Sequence, residues 1–333
     1  MKLSIAMATY NGAQYIEEQF KSFSAQTLLP DELVVCDDCS TDSTLDIIEA
    51  LARGAAFKVR VHRNEKRLGY ARNFEKALSL CENDLIFLSD QDDVWFPEKL
   101  KLVRDAFVSH PEIEVVINDA EVADAQLHPS GATMLSNMRR AGLNDRLFIT
   151  GCCTTITRKW RDFILPLPSD DVAHDLWINI ASFYTDKRLV LERPLQYYRR
   201  HQSTATDWTV SSAKPPSLLK VIMDHLFADS SSGWTRTRIL AQSVRDRLAD
   251  KSPPHMQPSD VERSLRRIES EIRLLDGRLM AVSKSRILRA PLIISLLTSG
   301  SYGAAKGWKS ALRDFLAPRT QAAEEPPPSF TLR

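Results

Sequence analysis

Residues 2–36 read KLSIAMATYNGAQYIEEQFKSFSAQTLLPDELVVC, and the period of the apolar residues changes twice within them. KLSIAMA (2–8) and ELVVC (32–36) are apolar runs of the length of buried strands. Between them, AQYIEEQFKSFSAQ (13–26) puts Tyr15, Ile16, Gln19, Phe20 and Phe23 on one face at helical spacing. That is a β-α-β unit. The alternation continues: Ser40-Thr41-Asp42-Ser43 supplies N-cap material for a helix over 44–53, and 58–63 reads as a strand. Residues 71–81 then read as a helix and 84–89 as a fourth strand. Regular alternation of this kind predicts an α/β fold with a mostly parallel sheet, helices on both faces, and ligand sites at the carboxyl ends of the strands.

Three polar clusters fall at such ends: Thr9-Tyr10-Asn11, Asp37-Asp38, and Asp90 to Asp93 in LSDQDDVWFPEKL (88–100). They are expected to converge on one crevice. Facing carboxylates repel by several kcal/mol at about 4 Å unless a cation or donors stand between them. A hard divalent ion, Mg²⁺ or Mn²⁺, held by one or two carboxylates keeps positions open for a substrate's phosphates, which suits diphosphate chemistry.

The 333 residues are 26% charged and 43% hydrophobic with a net charge of +1, an ordinary globular composition. The N-terminal stretch MKLSIAMATYNG is too short and too weakly flanked for a secretory signal, and no apolar run approaches the ~20 residues of a membrane span. A cytoplasmic location is expected. Five cysteines, an odd number, argue against a disulfide framework and for reduced thiols. Residues 36–39 form a C-x-x-C without a second pair or an H-x₃-H, so zinc and thioredoxin-like roles are set aside, and Cys36 reads as a small core residue. Cys152-Cys153 is an adjacent pair that seldom chelates with both thiolates.

Charge divides the chain. Residues 208–333 carry 20 Lys and Arg against 12 Asp and Glu, a balance of +8, whereas residues 1–207 carry 24 against 31, a balance of −7. DWTVSSAKPPS (207–217) reads as the linker, and the tail from about residue 320 reads as disordered.

Several separated motifs carry a family resemblance. ATYNGAQYIEEQFKSFSAQTLLPDELVVCDDCSTDST, then SDQDDVWFPEKL, then AHDLW followed by YYRRHQSTAT resemble a family 2 glycosyltransferase of the GT-A fold, over residues 1–207. The SDQDDVW variant is most similar to bacterial rhamnosyltransferase-like members that build surface polysaccharides. The resemblance implies an inverting transfer of sugar from a nucleotide-diphosphate donor to a glycan or lipid-linked acceptor, with dTDP-rhamnose the first donor and a UDP-sugar the other. It implies that Tyr10 and Thr9 lie near the nucleotide base, that Asp38 hydrogen-bonds the base, and that Asp90 faces the ribose. Asp92 falls on the metal, with His201 beside it. Asp175 falls on the general base that deprotonates the acceptor hydroxyl, its alternative being the N-cap of the helix over 176–184. Asp170 and Asp171 read as solvated.

Arg199 and Arg200 are placed at the diphosphate, with the choice between them open, and Arg72 reads either as a further diphosphate contact or as a surface arginine. Asp93 reads either as directly functional or as a cap for the segment WFPEKL, where Pro97 suits a first helical turn. Trp177, Phe183, Tyr197 and Tyr198 read as packing, with one of them lining the acceptor site as the other reading.

Residues 258–281 and 284–316 have helical periods. They read as a packing extension, an oligomerisation hairpin, or a membrane surface with Ile287, Leu288, Leu292, Ile293 and Leu296 in lipid and Lys284, Arg286 and Arg289 at the headgroups. Nucleic acid is excluded, since acids interleave with the basic residues and no such motif occurs. Two rivals stand: a metal-dependent nucleotidyltransferase, which needs a triphosphate loop that ATYNGAQY does not offer, and a non-enzymatic phosphoacceptor module, which needs no His-Asp or Arg-Arg-His cluster.

Overall fold

The first four strands are the ones announced by the alternation: β1 (Leu3–Thr9), β2 (Glu32–Asp37), β3 (Lys58–Arg63) and β4 (Leu85–Ser89), all parallel, in the order β3-β2-β1-β4. The structure is a computed structural model that describes residues 1–140, 148, 150–201, 231–253, 255–298, 302 and 307–317. The linker at 207–217, the motif residues 202–206 and the tail from about residue 320 lie outside the described residues. Strands β1, β2 and β4 are buried almost throughout, hence their unbroken apolar runs, whereas β3 alternates basic and apolar residues at the sheet edge. Register brings Thr9 level with Asp37, and Met7 level with Ser89. The polar clusters that follow these strands therefore start side by side.

Beyond β4 the sheet turns mixed. β8 (Thr154–Thr157) runs antiparallel to β4, β6 (Val115–Ala123) antiparallel to β8, and β9 (Arg188–Arg199) parallel to β6. β5 (Val94–Trp95) closes this edge by pairing Val94 with Tyr197 and Trp95 with Gln196, and β7 (Pro129–Thr133) pairs with β6. The two-residue β5 positions the site, because it clips the chain just after Asp93 onto the end of β9 that carries Arg199.

Helices α1 (Ile16–Ser24), α2 (Thr44–Ala52), α3 (Tyr70–Leu80), α4 (Lys99–Ser109), α5 (Met134–Arg140), α6 (Arg158–Ile164) and α7 (His174–Tyr184) complete this part. On α1, Ile16, Gln19, Phe20 and Phe23 face inward, and the Phe23 ring meets Trp95 edge-on at 4.8 Å. Such burial contributes about 1.5–3 kcal/mol per large side chain. The helix starts at Ile16 rather than near residue 13, because Gly12 O accepts the Tyr15 and Ile16 N–H groups in a preceding turn. Likewise α4 starts at Lys99 after Glu98, so Pro97 precedes the helix and Asp93 does not cap it. Not every buried acid belongs to the crevice: Glu32, at the opposite end of β2, accepts from Ser4, Arg60 and the Glu82 N–H.

By its contacts the chain divides into two compact units, Met1–Pro215 with Thr331–Arg333, and Pro216–Phe330. The described residues of the second unit form α8 (Ser231–Asp250), α9 (Pro258–Ser283), α10 (Arg286–Thr298) and α11 (Trp308–Leu316). Its interior is partly ionic. Arg278 makes a bidentate pair with Asp314 at 2.7 and 2.8 Å, and Tyr302 donates to the same carboxylate at 2.7 Å. Arg289 is fully buried and donates to Ala281, Val282 and Lys284 carbonyls at the end of α9 and to Asp314, Phe315 and Ala317 carbonyls at the end of α11. It caps two helix C-termini at once. The expectation that Arg289 reaches lipid headgroups is therefore corrected, and so is the apolar face. Ile293 is buried, with Leu292 and Leu296 packed against the same core, while Ile287, Leu288, Ile294 and Leu297 point outward. A helix apolar on every side shows in its sequence that it is buried, not which side is covered. Among the described residues, no helix is long and apolar enough to cross a membrane.

Candidate functional site

At the ends of β1 and β2, the backbone and side chains brace one another. Thr9 Oγ1 donates to Asp37 Oδ1 at 2.9 Å, and the Asp38 N–H donates to Thr9 O at 2.8 Å, so Thr9 is buried. Asn11 adopts a left-handed φ of 47°, which Asn tolerates, and its Oδ1 accepts the Thr41 N–H at 2.8 Å. Asp38 is buried and accepts from Asn64 Nδ2 (2.9 Å), the Leu68 N–H (2.7 Å) and the Gly69 N–H (2.9 Å). In this arrangement its carboxylate orders the loop before α3, and a base N–H would compete with those donors. Tyr10 is 36% exposed, and the Arg67 guanidinium lies 3.8 Å over its ring. The Tyr10 backbone is tied to the Gln91 side-chain amide in both directions, at 2.9 and 3.0 Å. That amide sits where a side chain on Gly12 would collide with it at 2.3 Å, so residue 12 has no room for a Cβ without displacing Gln91.

The acidic cluster follows β4. Among the described residues, the side chains of Asp90, Asp93 and Cys152 bring their ligating atoms within 4.8 Å of one another. Asp92 and His201, expected together at a metal, lie side by side, with His201 Nε2 2.7 Å from Asp92 Oδ2 and the His201 ring 4.6 Å from Tyr15. Burial, then the charges of Asp92, Asp93 and Asp175, push Asp90 well above the carboxylate range. Burial, then Asp92, push Asp93 up to about 7. Asp93 accepts Gln196 Nε2 at 2.7 Å and the Arg199 N–H at 3.3 Å, and Gln196 Oε1 in turn accepts from Lys99. Lys99 is itself buried, donates to Cys152 O at 3.0 Å and is pushed down to about 8 by desolvation.

This donor set fits a divalent cation. Asp93 is an acid held back from ionising by burial and by the charge of Asp92, which a cation shared by the two would relieve, and carboxylate oxygens suit Mg²⁺ or Mn²⁺ better than the neighbouring thiol does. A pH dependence follows. Asp93 keeps its proton in the folded chain up to about pH 7, whereas an unfolded Asp loses it near pH 4, so this group's contribution to stability falls as pH rises through that window. Binding a cation requires the ionised form. The rise in melting temperature caused by Mn²⁺ is therefore expected to be larger at about pH 7.5 than at about pH 5.5. Thermal unfolding with and without Mn²⁺ checks this, and an equal rise at both pH values would contradict it.

Of the two arginines before His201, Arg199 is turned inward and only 3% exposed. It donates to Asp92 O and Ala125 O at 2.7 Å each, pairs with Glu18 and lies 4.8 Å from the Tyr15 ring. Arg200 is half-buried, and its N–H bonds Ala123 O at 2.9 Å. Arg72 is engaged by Glu75 and by Asp170 Oδ1 at 2.6 Å, on the outer face of α3. Asp175 lies in the first turn of α7, where Ala173 rather than Asp175 is the N-cap, and its Oδ1 accepts the Leu176 N–H at 2.7 Å. Its charge acts on Asp90, which places both in one electrostatic neighbourhood. His174 is buried against Phe74, with ring centroids 4.0 Å apart, and burial lowers its pKa, so the ring is neutral.

Sequence reasoning did not single out Lys99, Gln196, Gln91 or Arg67. Lys99 reads like any lysine at the start of a surface helix. Gln91 had a signal, since its place inside SDQDD puts it between the acids of the cluster.

Residues 4–163 match the Glycosyl transferase family 2 domain. The dTDP-rhamnosyl transferase RfbG of Shigella flexneri is 27% identical over 226 residues, which are 62% of this chain and 75% of that protein. The poly(ribitol-phosphate) beta-N-acetylglucosaminyltransferase TarS of Staphylococcus aureus is 29% identical over 205 residues, 60% of this chain but only 35% of that protein. In fold, the chain is similar to the S. aureus TarS 1-349 crystal structure in complex with UDP-GlcNAc. The TM-score is 0.55 at 18% identity, covering 95% of this chain and 89% of that one.

Proposed function

Residues 4–163 make this chain a member of the family 2 glycosyltransferases, and from that premise we propose that it moves a sugar from a nucleotide-diphosphate donor to an acceptor hydroxyl, with inversion at the anomeric carbon. The observation that carries the reading is the acidic cluster after β4, where Asp90 and Asp93 bring their ligating atoms within 4.8 Å of each other and of Cys152 and the charges of Asp92 and Asp175 act on Asp90. Asp175 takes the acceptor's proton while the acceptor oxygen attacks the anomeric carbon; the bond from that carbon to the diphosphate breaks on the opposite face, and nucleoside diphosphate leaves. Tyr10 stacks on the base in place of the Arg67 guanidinium, with Asp38 and Asp90 at the base and ribose. Asp92 and Asp93, with His201 beside them, would hold Mg²⁺ or Mn²⁺, which when bound neutralises the leaving diphosphate. Arg199 and Arg200 are both proposed for the diphosphate; the Arg199 guanidinium would have to leave Asp92 O and Ala125 O to join it, and Arg72 would have to leave Asp170.

The proposed donor is dTDP-rhamnose, favoured by the Shigella relative, with a UDP-sugar as the second reading, favoured by TarS. The acceptor is a glycan or lipid-linked hydroxyl in surface polysaccharide synthesis. A panel of nucleotide sugars, each with Mg²⁺ or Mn²⁺, tests this. A donor at 100 times its Kd stabilises the fold by about 2.7 kcal/mol and should release nucleoside diphosphate. If no nucleotide sugar does either, the reading fails.

Residues 208–333 are proposed to dock on the inner face of the cytoplasmic membrane, supported by their balance of +8 and by outward-facing Ile287 (86% exposed), Leu288, Ile294 and Trp308. The full chain should float with anionic vesicles at low salt, and Ile287→Asp with Leu288→Asp should abolish flotation. Salt-insensitive or absent binding contradicts this part alone.

A further inference from the structure

Residues 150–154 run between the acidic cluster and the helix that carries Asp175. On one side, Cys152 offers its carbonyl to Lys99 and its sulfur to the group formed with Asp90 and Asp93. On the other, Thr154 Oγ1 accepts Asn179 Nδ2 at 3.3 Å, and the same Nδ2 donates to Asp175 O at 2.8 Å. Gly151 immediately precedes Cys152 and faces His174 and Asp175. A Cβ there would lie 3.0 Å from His174 Nε2, 3.6 Å from His174 Cε1 and 3.5 Å from Asp175 Cβ. The imidazole has nowhere to retreat, because its ring is stacked on Phe74 at 4.0 Å with an interplanar angle of 21°, and it is 4% exposed. Among the described residues neither ring nitrogen has a hydrogen-bond partner, and the ring is held by its packing.

We propose that Gly151 and His174 are positioning residues whose close contact sets where Asp175 stands relative to the acidic cluster. The inference rests on the reading of Asp175 as the base. A misplacement of 1 Å at a reacting group costs about 10²-fold in rate, and relief of the contact made by an added methyl needs a few tenths of an ångström, so roughly a 3- to 10-fold loss is expected.

The test uses the full chain as Gly151→Ala, His174→Ala and the double variant, with Asp175→Asn alongside. Nucleoside diphosphate release is measured with whichever nucleotide sugar the wild-type chain turns over fastest, together with the affinity for that donor plus Mn²⁺. Gly151→Ala should lose roughly 3- to 10-fold in turnover with donor affinity within about twofold. The double variant should be no slower than His174→Ala, because removing the imidazole makes room for the methyl. A wild-type rate for Gly151→Ala, or losses that simply add in the double variant, overturns the inference. If Asp175→Asn turns over normally, it is the assignment of the base that fails; if Asp175→Asn is slow and Gly151→Ala is not, only the positioning fails.

Discussion

Asp175→Asn is expected to slow sugar transfer by about 10²- to 10⁴-fold, about 3–5 kcal/mol of barrier, because a positioned general base contributes that much and an amide accepts no proton. Folding should be spared. Asp175 is not the N-cap of α7, and the Leu176 N–H that its Oδ1 accepts can be accepted equally by the Asn carbonyl oxygen. Melting temperature and donor affinity should therefore change little while turnover collapses. Steady-state release of nucleoside diphosphate in the presence of acceptor checks this, and a rate near wild type would move the base elsewhere.

The second large effect is on stability. Arg199→Ala removes a buried guanidinium that satisfies Asp92 O and Ala125 O, pairs with Glu18 and packs against Tyr15. Each carbonyl left without a donor costs about 1–3 kcal/mol, and the lost packing adds to it, so a total of about 3–5 kcal/mol is expected. Thermal unfolding should show it as a fall of about 10 °C, since each kcal/mol shifts a domain of this size by about 2–4 °C. Arg200→Ala should weaken donor binding. An Arg199→Ala chain as stable as wild type would show that the buried contacts carry little.

The parallel half of the sheet was readable because each strand there is a short apolar run ended by polar residues. Residues 58–63 read as a strand with the bounds that β3 has, Lys58–Arg63. The mixed half was not, for its pairing is tertiary. β5 is two residues long and β8 is TTIT, and neither has a local pattern that distinguishes it from loop until β4, β6 and β9 are in place. The same reason governs the site. That the residues after β1, β2 and β4 share a crevice follows from topology. That Arg199 turns inward depends on which face of β9 it occupies, and the pairing of β6 with β9 shifts register at Asn118/Asp119 and Asp119/Glu121, so counting alternate residues from the sequence loses the face. Asp93 shows the limit most plainly. One position from Asp92 in sequence, it is drawn to the protein interior by Gln196, while Asp92 is held by His201.

The measurement that bears most directly on the account is isothermal titration of donor, with and without Mn²⁺, into the wild-type, Asp92→Asn and Asp175→Asn chains. Cation and diphosphate belong to the cluster after β4 in the proposed reaction, and proton abstraction to α7. Asp92→Asn should therefore lose the Mn²⁺-dependent part of donor binding, and Asp175→Asn should keep it. Donor binding by Asp92→Asn that is as tight and as Mn²⁺-dependent as wild type would contradict it.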